Sequence, residues 1–442
     1  MTKGAALPPL QDEALLDAVQ RATFRYFWDG AHPESFLARD RLPFDANPEA
    51  EAREDKISIG GSGFGAMALV VGAARGFVAR EDAARRLMAM VSFLERTPSY
   101  HGLFPHYLDG RTGATIPMGR KDDGGDLVET ALLFQGLLCA RAFFDRDDPL
   151  ERDLRNHVTW LWQDVEWSWH APHGRKVLLW HWSPNNGFSL NAEIRGWNEC
   201  LIAYVLAAAS PNPRFAIDPV AYHEGFAQSR SFLNRRVWLG HDLPLGPDWG
   251  GPLFFAHYSF CGLDPRRLSD RYADYFEQNV RHCRVNYAHC VANPHGYAGY
   301  GPDCWGLTAS DDALHGYAAH APDADFGVIS PTAALSSFPY LPREAMAALR
   351  HFHDGLGDWI FGRYGFADAF SEAHGWRADS YLAIDQGPIV AMIENFRSGL
   401  LWRLFMRDPD VRRGLERLDF RIAPQADAEA RQAEAQAPQA EA

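Results

Sequence analysis

The side chains best placed for chemistry in this sequence are acids set against apolar, helix-like runs. KDDGGDLVETA puts Asp122, Asp123, Asp126 and Glu129 at a loop-to-helix junction, NAEIRGWNEC puts Glu193 and Glu199 ahead of CLIAYVLAAA, and AIDQGPIV sets Asp385 at a Gly-Pro helix start. A carboxyl beside an apolar run is partly desolvated, which raises its pKa as a general acid requires. Glu199 is read in this way, against the alternative of a helix-interior carboxyl bonded to a neighbouring segment. Asp385, near helix amides and the positive helix end, is expected to stay ionised and suits a base, with capping as its alternative. One protonated and one ionised carboxyl are what hydrolysis of a glycosidic bond needs. Asp126 and Glu129 fit a capping box equally well. Asp311 and Asp312, in CWGLTASDDALHGY, read either as sugar-hydroxyl ligands or as turn acids. Glu394, mid-helix among apolar neighbours, reads as a satisfied core carboxyl.

Aromatic residues accompany these acids. Trp167, Trp169, Trp180, Trp182, Trp249, Trp305, Tyr317 and Trp376 lie in polar, loop-like company. Their flat faces and polar edges suit pyranose rings. Any one of them serves equally well as packing, but together and beside acids they favour a carbohydrate cleft. Other chemistries lack their signatures. No H-E-x-x-H is present and the 18 His are dispersed, so neither a metal nor a cofactor is expected. GGSGFG, at 60–65, lacks the Lys-Ser/Thr ending of a phosphate loop and reads as close helix packing.

The elements that must hold these residues are mostly helical. Six apolar, small-residue-rich segments start at Gly61, Asp126, Ile194, Gly251, Ser330 and Gln386, at spacings of 65, 68, 57, 79 and 56 residues. Each interval fits a helical hairpin plus loops. Amphipathic stretches lie between them, such as DPLERDLRNHVTWLWQDV, DPVAYHEGFAQSRSFLNRR and DRYADYFEQNVRHCRVNY. Six apolar segments alternating with amphipathic ones predict an all-α (α/α)6 toroid, an inner helical ring jacketed by an outer one. Residues 1–420 are expected to form one domain, and the Ala/Gln/Glu-rich 421–442 a disordered tail.

Composition narrows the partners. The 442 residues carry a net charge of −14, with no basic excess to meet a phosphate backbone, so nucleic acid is excluded. There is no run of about 18 apolar residues that could span a bilayer. No signal peptide is visible at the start, so the expectation is a cytoplasmic protein, or a periplasmic one if a leader has been removed. The six Cys show no C-x-x-C pair and read as buried thiols.

FRYFWDGAHPESFLARDR, ISIGGSGFGAMAL, DLVETALLFQGLL, IRGWNECLIAYVLA, CWGLTASD with GYAAHAP, and YLAIDQGPIVAMIENFRSGLLW occur in that order. In these motifs, from about Phe24 to Phe405, the chain resembles the bacterial glucoamylase-like family, glycoside hydrolase family 144 and its relatives. The resemblance implies an (α/α)6 barrel and hydrolysis of β-1,2-glucan, endo-acting or sophorose-releasing, by metal-free inversion. It also implies Glu199 as general acid and Asp385 as base, with Asp311 in reserve. Asp122, Asp126, Glu129 and Asp311 would then hold sugar hydroxyls or tune the pair, beside Trp182, Trp305, Tyr317 and Trp376. The competing readings are an exo-acting hydrolase or transglycosylase on other β- or α-glucooligosaccharides, and a non-catalytic sugar-binding toroid.

Overall fold

The computed structural model describes residues 12–45, 48–51, 53–427 and 430–431. Its main helices are α1 (Asp12–Trp28), α2 (Ile59–Ala74), α3 (Arg80–Leu94), α4 (Leu127–Phe143), α5 (Pro149–Gln163), α6 (Leu201–Ala209), α7 (Tyr275–Ala292), α8 (Pro331–Leu335), α9 (Pro342–Arg350) and α10 (Ala383–Arg397). The apolar segments become helices buried on every side: all of α6, and α2 from Ile59 to Gly72, are hidden from solvent. A helix apolar all round is stable only inside a larger body. The amphipathic segments cover them, as in α5, which is capped by Asp148 and turns Leu154, Val158 and Trp162 inward.

α2 packs on α4 and α10, α4 on α6, and α8 on α10, while α1 and α3 lie over α2 and α5 over α4. Between α6 and α8 runs the broken stretch Phe254–Cys261. Ser259 Oγ accepts from the Ile202 amide at 3.0 Å, and His257 Nε2 lies 3.0 Å from Ser337 Oγ. The glycines explain the close α2–α4 approach: a Cβ on Gly136 would stand 1.9 Å from the Gly63 carbonyl oxygen. GGSGFG therefore serves helix packing.

Three apolar segments form less helix than their patterns imply. In the third, the chain turns at Gly196 (φ +85°), Asn198 Oδ1 accepts from the Cys200 amide, and the helix starts only at Leu201. In the fourth, helix is limited to Phe254–His257 and a 3-10 turn over Ser259–Cys261. In the fifth, the Ser337 hydroxyl turns back on the Ala333 carbonyl, and Pro339, with no amide hydrogen to donate, follows α8. DPVAYHEGFAQSRSFLNRR, expected to be helical, is a π-helical turn (Ala221–Gly225) and a 3-10 turn (Phe226–Gln228) followed by a hairpin strand, Leu233–Trp238.

Strands are short, and among the described residues they form seven two-stranded sheets and one three-stranded sheet. Several feed directly into helix starts. Lys56–Ser58 leads into α2, Gly125–Asp126 into α4 and Ser380–Leu382 into α10. The three starts meet: the Gly60 amide donates to Glu129 Oε2 at 2.7 Å, and a Cβ on Gly61 would lie 2.6 Å from that of Ala383.

Order continues past residue 420, where a disordered tail was expected to begin. Arg421–Ile422 pairs antiparallel with Leu268–Ser269, and Arg431 bonds Asp274. Residues 428–429 and 432–442 of that segment lie outside the described residues. All six cysteines are buried free thiols. Among the described residues no helix is long and apolar enough to cross a membrane.

Candidate active site

Asp126 caps α4, accepting from the Val128 and Glu129 amides at 2.9 and 3.0 Å through Oδ1. Its other oxygen faces His106 Nδ1 at 3.0 Å and Trp180 Nε1 at 3.3 Å, with His181 Nδ1 at 3.5 Å. Burial opposes ionisation of Asp126, but these donors outweigh it and hold its carboxyl below the usual range. Capping and site roles thus coexist in one side chain. His181 also reaches Asp122 at 3.2 Å. Burial disfavours charge on His106, yet Glu129, Asp126 and Asp122 around it raise its pKa to about 10, so it is a cation at neutral pH. Glu129 is pushed up to about 7, chiefly by burial. Asp123 turns aside to Asn185.

Glu199 sits in the turn before α6, two residues ahead of its first helical residue, Leu201. It is half-buried. Burial first, and then the charges of Glu129 and Asp126, raise its carboxyl to about 7. Glu193, exposed, pairs with Arg195. The Glu199 carboxyl can therefore hold a proton at neutral pH and release it there.

A second group of acids gathers Asp311, Asp368 and Asp385. Asp311 lies on the strand Ala309–Asp312, directly across from Tyr317 in the partner strand. Its carboxylate accepts from Arg41 and, at 2.6 Å, from Ser380 Oγ, while its amide donates to Asp368 Oδ2 at 2.7 Å. Asp368 and Asp385 interact electrostatically, Asp368 Oδ1 and Asp385 Oδ2 being buried without another partner among the described residues, and Tyr258 donates to Asp385 Oδ1 at 3.4 Å. Burial and then the neighbouring acids raise Asp368 to about 7 and Asp385 well above the carboxylate range. This corrects the expectation of an ionised Asp385. Its oxygens meet Tyr258 and Asp368, no side chain caps α10, and like charge in a desolvated place outweighs the helix end.

Tyr258 links the two groups, since its hydroxyl lies within the electrostatic reach of both Asp385 and Glu199. Tyr107 likewise lies within the electrostatic reach of Glu129, Asp126 and Arg41. Trp182, half-buried, pairs in register with Gly125 and stands edge-on to His101 and Trp169 at 5.1 and 6.1 Å, forming an aromatic wall beside Asp122 and Asp126. Tyr317 is 49% exposed, opposite Asp311. Trp376 lies on a short strand paired with Phe370–Ser371, which follows Asp368 closely. Trp305 is elsewhere: fully buried, it is edge-on to Tyr287 and donates to the Glu344 carbonyl. Asp312 is a turn acid, accepting from the Leu314 and His315 amides. Glu394 is a core carboxyl held by Arg75. His106, His181, Asp368, Tyr258 and Arg41 carry no local sequence signal. Only the fold brings them in, as with Arg41 and Asp311, which are 270 residues apart.

The family model with the description "Glycoamylase: Putative glucoamylase" matches residues 191–409. An endo-β-1,2-glucanase from Chitinophaga pinensis, solved with sophorotriose and glucose, is 51% identical, with a TM-score of 0.89 over 93% of this chain and 99% of that one. A Bacteroides uniformis protein, its crystal structure described as that of "a putative glucoamylase", is 52% identical, with a TM-score of 0.90 over 94% of this chain and 99% of that one. The Parabacteroides distasonis exo β-1,2-glucooligosaccharide sophorohydrolase (non-reducing end) is 43% identical over 437 residues, 94% of this chain. The chain spans 59% of that protein's length.

Proposed function

This chain belongs to the glucoamylase-like family, of the glycoside hydrolase family 144 type, and from that premise we propose that it hydrolyses β-1,2-glucan, endo-acting or sophorose-releasing. The observation that carries the reading is that one buried residue, Tyr258, lies within electrostatic reach of both Glu199 and the Asp368 and Asp385 carboxyls. Glu199, near Glu129 and Asp126, belongs to one group, and Asp368 with Asp385, to which Tyr258 donates, forms the other. The helical packing supports an (α/α)6 toroid with residues 1–420 as one hydrolase domain, in which the starts of α2, α4 and α10 form the floor of the groove.

In this reading protonated Glu199 gives its proton to the glycosidic oxygen as the bond to the anomeric carbon breaks. The Asp368–Asp385 pair, holding one proton between two carboxyls, takes a proton from water on the opposite face of the sugar. Two adjacent carboxyls in a desolvated place cannot both ionise readily, so the singly charged pair is its resting form. Attack from that face inverts the anomeric centre. Asp385 is thus the base as part of a dyad, with Asp368 added to the assignment. Asp122, Asp126, Glu129 and Asp311 bind sugar hydroxyls, and Trp182, Tyr317 and Trp376 flank the rings. Trp305, in the core, is left out.

A panel of linear β-1,2-glucan, laminarin and maltodextrin, followed by chromatography of products, tests the proposal. Sophorose-series products from β-1,2-glucan alone are expected. Turnover of maltodextrin instead, or of none of the three, would overturn it.

A further inference from the structure

Outside the acid cluster, two loops and the helical turn that continues α9, His351–Gly355, bring unlike donor atoms together. Cys304, His351 and Glu372 each offer one, and these atoms all lie within 4.8 Å of one another. Cys304 is 1% exposed, and among the described residues no hydrogen bond engages its thiol. His351 Nε2 is buried without a hydrogen-bond partner and lies 3.8 Å from Glu372 Oε1. The other ring nitrogen of His351 faces Asp303 Oδ2 at 3.8 Å. Glu372 is pressed against the backbone: a Cβ on Gly299, at φ +89°, would lie 2.3 Å from Oε1, so only glycine leaves room for the carboxyl.

Among the described residues the Cys304 thiol and the His351 Nε2 atom are without hydrogen-bond partners and hidden from solvent, which is costly unless a ligand completes them, while Glu372 is exposed and leaves the set open to an ion from solvent. The set here is one thiol, one imidazole and one carboxylate, the mixture that a borderline-soft cation takes and that calcium or magnesium, with all-oxygen shells, does not. An imidazole whose second nitrogen faces a carboxylate is the usual arrangement around a bound metal, because the carboxylate fixes the tautomer and the ring orientation.

We propose that Cys304, His351 and Glu372 form a binding site for one zinc-class divalent cation, with water in the fourth position. Donor separations around tetrahedral zinc are about 3.4–3.6 Å, so the three atoms need only close by rotation of the His351 and Glu372 side chains. On binding, the thiol gives its proton to solvent and the thiolate becomes the ligand. The role is structural. Asp311 follows Cys304 along one loop and Asp368 precedes Glu372 along another, so a cation joining Cys304 to Glu372 ties together the segments that carry both acids.

The test is titration of chelator-stripped full-length protein with zinc by calorimetry and with cobalt by absorption. One equivalent bound, a thiolate-to-cobalt charge-transfer band, and a higher melting midpoint with zinc are expected. Cys304→Ser should remove the charge-transfer band and weaken zinc at least about 100-fold, and Asp303→Asn should weaken it about 10-fold, as outer-shell carboxylates do. Should the serine variant fail to fold, the wild-type cobalt spectrum decides alone. Absence of zinc binding overturns the proposal. So does a cobalt complex with no thiolate band, or equal zinc affinity in Cys304→Ser, which would place the ion on His289, His295 and Asp325 instead.

Discussion

Asp368 and Asp385 interact electrostatically, each with one buried oxygen that has no other partner among the described residues, although one lies in the loop before the strand Phe370–Ser371 and the other in the first turn of α10. Both are buried, and burial together with the charge of neighbouring acids raises both carboxyls, so the pair holds a proton where a lone surface carboxylate would not. Asp368→Asn abolishes the singly charged pair while keeping an oxygen for the Asp311 amide. Steady-state kinetics on β-1,2-glucan should show kcat lowered by about 10²–10⁴ with KM little changed. Wild-type kcat in a folded variant would remove the dyad from the mechanism.

Glu199 must be protonated to act as an acid. Its carboxyl titrates near 7, so kcat/KM should fall as pH rises through that value. Part of the elevation comes from Glu129. Glu129→Gln removes that charge, lowers the Glu199 pKa and should move the alkaline limb of the pH–rate profile to lower pH. An unmoved or upward-shifted limb would show that another group governs it.

His106 offers a separate test through stability. Its folded pKa of about 10 exceeds the unfolded value near 6.5, so its contribution is complete below about 6.5 and is lost as pH rises toward 10. His106→Gln leaves Asp126 and Glu129 short of a cation and should cost about 1–3 kcal/mol at pH 6. Urea midpoints at pH 6 and pH 10 check this, with the gap between variant and wild type narrowing at the higher pH. A constant gap would mean that His106 acts by packing alone.

The α2–α4 contact makes a prediction independent of catalysis. Gly136→Ala forces a methyl against the Gly63 carbonyl, where backbone has little room to yield. A loss at the upper end of about 1–3 kcal/mol, or beyond it, is expected in the thermal melt. Gly119→Ala, with nothing within 4 Å of the added carbon, should be nearly neutral. Equal melting midpoints for the two variants would contradict this packing.

Much of this site was legible in the sequence because α4 and α10 carry their acids at helix starts, where local rules apply. Asp126 shows the limit of those rules, since it both caps α4 and holds the His106 ring. Asp385 stands at the helix start that its motif predicts, but burial and the Asp368 carboxyl, which arrives from another loop, raise its pKa there. Trp305 was read as a cleft residue from its polar neighbours, yet its indole N–H finds the Glu344 carbonyl inside the core. The six-segment rhythm anticipated the buried helices, while turns set by Gly196 and side-chain competition at Ser337 shortened two of them.

The most direct measurement is the initial rate at which new reducing ends appear from linear β-1,2-glucan with wild-type protein and with Glu199→Gln. The account predicts steady release by the wild type and a loss of at least about 10²-fold in a variant that melts normally. Undiminished release by Glu199→Gln would contradict it.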